Sequence, residues 1–193
     1  MRHRYHPLAE QTVQTSKYVI KELPTTSKPL IVEVGCGKGQ FLVNSAINEP
    51  DALFVGIEQS AQALYRAVLL AESSQVDNVF FMWGNVDELL PTLPQPIDTL
   101  YLLFSDPWPK VRHEKRRLTT SARLQMYYQH PVNRVLLKTD NVDFYHYSLE
   151  QLEASPFQVV SYGELLNESV IPTEFEEKYR KLGKPIYFIE AKR

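Results

Sequence analysis

Short apolar segments alternate along this chain with segments of helical period, and that alternation constrains the fold more than anything else in it. Residues 30–34, 53–57, 79–83, 99–104 and 135–137 are apolar nearly throughout, not at every second position. A strand of that kind is buried on both faces. Between the second and third of them, Ser60 is placed to cap a helix, and Ala61, Leu64, Tyr65, Val68 and Leu69 repeat at one helical face. Further helices are expected over 41–47, 121–128 and 144–152, and two late strands over 158–162 and 186–191. Strands separated by helices imply an α/β fold with a parallel sheet covered on both sides. With 193 residues, 44% hydrophobic and 23% charged, and no repeat or linker, one domain spanning 1–193 is expected.

The first strand runs directly into Glu33-Val34-Gly35-Cys36-Gly37-Lys38-Gly39. Alternating glycines allow a sharp turn and a close approach to a ligand, at the place where doubly wound folds bind nucleotides. The spacing is G-x-G-x-G, not the G-x-G-x-x-G of dinucleotide sites. Glu33, two residues before the first glycine, is suited to a cationic amino-acid tail rather than a pyrophosphate. Glu58 ends the second strand, where an acid accepts from both hydroxyls of a ribose. Together these residues describe a site for S-adenosyl-L-methionine. Asn85 follows the third strand; it either contacts adenine through its amide or forms a turn after Gly84. Cys36 reads as a small filler, with no histidine placed to activate it.

The fourth strand delivers Ser105-Asp106-Pro107-Trp108-Pro109-Lys110, followed by Val111-Arg112-His113-Glu114-Lys115-Arg116-Arg117. Ligands of such sheets gather at the carboxyl ends of strands, so Asp106 is the candidate catalytic acid. The two prolines restrict the turn. Trp108 either stacks on a base or packs beneath the loop. The run from Lys110 to Arg117 holds five cations and one acid in a chain whose net charge is −2. Such a patch suits phosphate, and arginine grips it with paired hydrogen bonds. His113 is either a phosphate contact or a surface residue. With an overall pI near 6.2, nucleic-acid contact must be local. Lys138-Thr139-Asp140-Asn141 closes the fifth strand. Thr173-Glu174-Phe175-Glu176 is either part of the site or a capping box that starts a helix.

Other classes are excluded or disfavoured. No apolar run reaches the length of a membrane span, and the N-terminus has no secretory pattern. A single cysteine forms no internal disulfide, and no Cys/His spacing suits zinc. A cytoplasmic location is expected.

These motifs resemble the bacterial tRNA (guanine-N7)-methyltransferases. The stretches that carry the resemblance are 33–42, 56–58, 104–110, 112–119, 138–141 and 173–178, with the Ser-Asp-Pro-Trp-Pro-Lys turn and its basic tail the most specific. The resemblance implies a Rossmann-like methyltransferase sheet, mostly parallel, with a C-terminal antiparallel hairpin. It implies S-adenosylmethionine as methyl donor and a guanine in the tRNA variable loop as target. Positions Glu33, Gly35, Gly37, Glu58, Asn85 and Asp106 would hold the cofactor. Lys110, Asp140, Thr173, Glu174, Phe175 and Glu176 would contact the substrate, and Arg112, Lys115, Arg116 and Arg117 the RNA. Asn85 stands where many relatives have Asp. Segments 130–134 and 167–173 are short, and the arm 1–23 matches poorly. The rival readings are another nucleic-acid methyltransferase of the same fold and a non-catalytic RNA-binding module.

Overall fold

The structure, a computed structural model, describes residues 5–23 and 25–193. It falls into two compact units, Met1–Gln95 and Pro96–Arg193. The first contains α1 (Ala9–Thr15), β1 (Leu30–Val34), α2 (Gln40–Asn48), β2 (Leu53–Glu58), α3 (Ala61–Ser74), β3 (Val79–Trp83) and the short α4 (Val86–Leu89). Its strands are parallel in the order β3-β2-β1. All five β1 residues are buried, as are the first five of β2. The uniform apolar runs therefore mark strands covered on both faces.

Ser60 caps α3 by accepting from the Ala63 amide. The buried face of that helix is Ala63, Leu64, Ala67, Val68 and Ala71. Leu69, expected on that face, is 40% exposed instead. Ala63, Ala67 and Ala71 share the buried stripe with Leu64 and Val68, so its centre falls away from Leu69. Gly39 begins α2 at φ +73°, and a Cβ there would stand 2.8 Å from the Ala67 Cβ. Glycine is thus required there twice, by conformation and by space.

The arm ahead of β1 is part of this unit. Ala9 and Val13 of α1 are fully buried. Residues 18–20 run alongside β3, with the Ile20 amide donating to the Phe81 carbonyl and the Phe81 amide to that of Tyr18. His6 is joined to α3 by paired hydrogen bonds with Gln62 and by stacking on Tyr65 at 4.4 Å.

The second unit contains β4 (Ile97–Leu103), a 3-10 helix (Val111–Arg116), α5 (Ser121–Gln129), β5 (Val132–Thr139), α6 (Val142–Glu153), β6 (Gln158–Glu164), α7 (Glu174–Lys181) and β7 (Tyr187–Lys192). Its strands lie in the order β4-β5-β7-β6. β4 and β5 are parallel, whereas β7 is antiparallel to both β5 and β6. The late antiparallel pair expected from the family is present, but α7 lies between its strands in sequence, so it is not a tight hairpin. β5 is longer than its apolar centre suggests. It begins at Val132, opposite Ile97 of β4, and Arg134, whose cross-strand neighbour is Lys192, forms a diagonal ion pair with Glu190 of β7 at 3.0 Å. Among the described residues no helix is long and apolar enough to cross a membrane.

Candidate active site

The glycine loop of the first unit is built around two carboxylates with opposite fates. Glu58, at the end of β2, accepts one backbone bond on each oxygen. Its Oε2 accepts from the Gly37 amide at 3.0 Å and its Oε1 from the Ser60 amide at 2.7 Å. One side chain thereby ties the loop to the start of α3. Gly35 and Gly37 have φ of +75° and +57°, and a Cβ on either would meet nothing within 4 Å. The backbone at both is therefore open to a ligand.

Glu33, in β1, is only 4% exposed, and its Oε2 has no hydrogen-bond partner. Burial first, and then the Glu58 carboxylate, push its carboxyl up to about 8. One oxygen of this buried acid is thus free to accept a hydrogen bond beside an open backbone. Cys36 is the filler its context suggests. Its thiol is buried, and burial followed by Glu33 and Glu58 raises its pKa well above the ordinary value. Its Sγ lies so near Gly56 that an added Cβ there would come within 2.6 Å. Asn85 caps α4, its Oδ1 accepting from the Asp87 amide at 3.1 Å. The turn role is thus realised, with the amide nitrogen and the second lone pair of Oδ1 left for a ligand.

In the second unit β4 ends at Leu103, and the next five residues form a strained turn. Phe104 and Trp108 both take positive φ, +50° and +43°, and Asp106 lies exposed between them. Non-glycine residues hold that conformation only where their surroundings over-determine it. Phe104 is fixed by α7: its ring lies 5.8 Å from those of both Phe175 and Tyr179. Trp108 is fixed by the basic segment, with the Arg116 guanidinium 4.8 Å over its ring and His113 edge-on at 5.6 Å. One face of the indole is therefore already covered. Ser105 Oγ is buried without a partner.

The basic run is a 3-10 helix with no buried residue. Arg112 and Lys115 project into solvent, as does Lys110 just before it. Arg117 differs. Its Nε donates to the Pro107 carbonyl at 3.0 Å and its Nη2 to the Trp108 carbonyl at 3.2 Å. Glu114, the one acid of the run, accepts from the Tyr147 hydroxyl at 3.2 Å.

α7 brings the late cluster to the end of β5. Thr173 caps the helix by accepting from the Glu176 amide. Glu176 is completely buried. It pairs with Lys138 at 2.9 Å, accepts from the Ser169 amide and hydroxyl, and meets Arg180 at 3.4 Å. Burial pushes this carboxyl up, but hydrogen bonds from Lys138 and Ser169 outweigh that and hold it below its ordinary value. Asp140 faces Tyr179, whose hydroxyl pKa is raised by burial first and then by this carboxylate. Thr173 and Glu176 thus act inside the protein, organising the helix and the loop before it. Glu174 and Phe175 are partly exposed. From sequence Lys138 stands out only as part of the cluster closing β5, and Tyr147 and Tyr179 do not stand out, since the groups they face lie 33 to 39 residues away. Arg180 carried a signal, an acid–base pair four residues apart.

An α/β sheet with a glycine turn after β1, acids at the ends of β1 and β2, and an acid after β4 defines the methyltransferase class. Solved structures agree on the fold. An antibiotic-related methyltransferase superposes with a TM-score of 0.64 at 18% identity, covering 86% of this chain and 87% of that one. The 16S rRNA methyltransferase KamB gives 0.63 at 11% identity over 100% and 99%. A family model described as "Putative methyltransferase" matches residues 27–189. The tRNA (guanine-N(7)-)-methyltransferase of Lachnoclostridium phytofermentans is 35% identical over 99% of this chain and 98% of its own. That of Mycoplasmopsis pulmonis is 35% identical over 98% of each. The chain belongs to the tRNA (guanine-N7)-methyltransferase family.

Proposed function

We propose that this protein transfers a methyl group from S-adenosylmethionine to N7 of a guanine in the variable loop of tRNA, in the cytoplasm. The observation that carries the reading is the turn after β4. An acid is held between two positive-φ residues, and the cationic 3-10 helix follows at once. A solved structure of the same fold, a geranyl diphosphate methyltransferase (TM-score 0.57, 15% identity, 96% of this chain and 76% of that one), was obtained with sinefungin.

The residues present fit the cofactor. Glu33 offers an unpaired buried oxygen to an ammonium group. Glu58, with each oxygen already accepting one backbone bond, keeps lone pairs for ribose hydroxyls. Gly35 and Gly37 leave room for close approach. When bound, the cofactor supplies an electrophilic methyl on a sulfonium.

Guanine N7 has a lone pair and no proton, so no strong general base is needed. Glu33, Glu58, Gly35 and Gly37 would hold the donor, whose methyl would pass to N7 with the C–S electron pair left on the donor, and the purine would become cationic. The protein's work is alignment and support of that charge. Asp106 accepts from the guanine N–H edge and lowers the energy of the developing cation. Lys110, Asp140, Glu174 and Phe175 border the base, and Arg112 and Lys115 attract phosphate. Incubation with labelled S-adenosylmethionine and unmodified tRNA tests this. The expected product is 7-methylguanosine, lost when the variable-loop guanine is replaced. A methyl group on another atom would identify a different nucleic-acid methyltransferase. No transfer despite binding of both ligands would identify an RNA-binding module.

A further inference from the structure

We propose that Arg117 is a positioning residue for Asp106 rather than a phosphate contact, a conclusion that rests on the catalytic reading of Asp106 given above. Its place in a run of cations suggests the opposite, but the geometry separates it from its neighbours. Arginine grips phosphate through the Nε/Nη2 edge of its guanidinium, with two parallel N–H bonds. In Arg117 that same edge is spent on the carbonyls of Pro107 and Trp108, the two residues after Asp106. The guanidinium also lies 4.2 Å over the Tyr147 ring, which closes one face. To grip a phosphate through that edge, Arg117 would have to release the turn; only the end-on Nη1/Nη2 donors remain, beside the Tyr147 ring.

The turn needs such a clamp. Trp108 sits at φ +43°, a conformation that disfavours any side chain and persists only under outside restraint. Arg117 supplies that restraint at the backbone and Arg116 at the ring. The clamp is itself anchored, because Arg123 of α5 donates to the carbonyls of Arg116 and Arg117 at 2.8 and 2.9 Å. On the other side of Asp106, Phe104 is held by α7 and by its amide donating to the Lys138 carbonyl at 2.8 Å, so the Arg117 clamp completes the turn from the side of Pro107 and Trp108. The Asp106 side chain is itself exposed, so its position is set by the backbone held at these two ends.

The test compares Arg117→Ala and Arg117→Lys with an Arg112→Ala/Lys115→Ala double variant. Saturated single-turnover methyl transfer and the salt dependence of tRNA binding are read for each. Arg117→Lys keeps the charge and the contact with Tyr147 but not the two-pronged edge. It decides the matter if Arg117→Ala does not fold. The expected result is a tenfold or greater loss of the saturated rate in both Arg117 variants, with the tRNA dissociation constant and its salt slope within twofold of the parent. The double variant weakens binding and flattens the slope. A wild-type rate in Arg117→Lys, or a flatter salt slope in Arg117→Ala with the saturated rate preserved, would overturn the proposal.

A second readout does not depend on turnover. In a Trp83→Phe background Trp108 is the sole indole, since the chain has two tryptophans. Loss of the clamp is then expected to lower its fluorescence anisotropy, and an unchanged anisotropy counts against the clamp. If Asp106→Asn kept full turnover while both Arg117 variants still freed Trp108, the catalytic reading of Asp106 would fail and the clamp would stand.

Discussion

Replacing Glu33 by Gln is expected to stabilise the protein without cofactor, and to do so more strongly as pH rises. In the folded chain burial, and then Glu58, lift this carboxyl to about 8 from an ordinary 4.5. The folded state therefore holds a proton that the unfolded state releases. Stability linked to it is fully present below pH 4.5 and is lost as pH climbs toward 8. At about 1.4 kcal/mol per tenfold change, the loss reaches a ceiling of about 5 kcal/mol at pH 8. Even half of that is a large share of the 5–15 kcal/mol that holds a typical domain together. Glutamine has the same shape and no proton to lose. The assay is a pair of urea or thermal melts of the two proteins from pH 5 to 8.5. The difference between them cancels every other titration, and it should grow steadily over this range in favour of the variant. A shift of 2 kcal/mol would move the midpoint by about 4–8 °C for a chain of this size. Added S-adenosylmethionine should reverse the order near pH 8, where the wild type gains binding energy that the variant lacks. A difference flat from pH 5 to 8 would mean that Glu33 is already ionised, and the reasoning from its burial and missing partner would be wrong.

The same proton should appear in cofactor binding. The affinity of the wild type for S-adenosylmethionine is expected to rise toward pH 8 with release of a proton, and calorimetry in buffers of different ionisation enthalpy would detect it; no buffer dependence refutes this. Asp106→Asn should lower saturated methyl transfer by about a hundredfold, with the melting temperature unchanged; a loss of stability of equal size would assign Asp106 to structure. Glu176→Gln should cost about 3 kcal/mol in urea unfolding at neutral pH, because it leaves Lys138 without its charge partner. That cost should shrink as acid neutralises the wild-type carboxylate, below its ordinary pKa of 4.5 since it is held lower, and a cost independent of pH would refute the pairing. Gly39→Ala should destabilise by about 2 kcal/mol or more through its positive φ and the contact with Ala67, and a neutral effect in the same assay would show that the loop yields.

Much of this protein follows from local pattern. The uniform apolar runs of β1 to β4 identify buried parallel strands, because residues covered on both faces must be apolar at every position. The glycine turn and the acids Glu33, Glu58 and Asp106 fall at strand ends, where such sheets present ligands. Capping chemistry is equally local: Ser60 and Thr173 take the roles that their neighbours three residues on require. What the side chains do with their hydrogen bonds is a different matter, since that depends on partners remote in sequence. Arg117 and Arg112 are alike as letters in a cationic run, yet one holds the turn and the other faces water. Glu176 looks like a surface acid on a charged helix but is buried against Lys138, 38 residues earlier. The buried face of α3 is centred away from Leu69 because Ala63, Ala67 and Ala71 are part of it. Sequence by itself determined the order of elements and the chemistry at each strand end, through steric and hydrophobic preferences that act within a few residues. Only the tertiary structure decided which charges are free to meet a substrate and which are spent inside, because desolvation and pairing are properties of the neighbours that folding brings together.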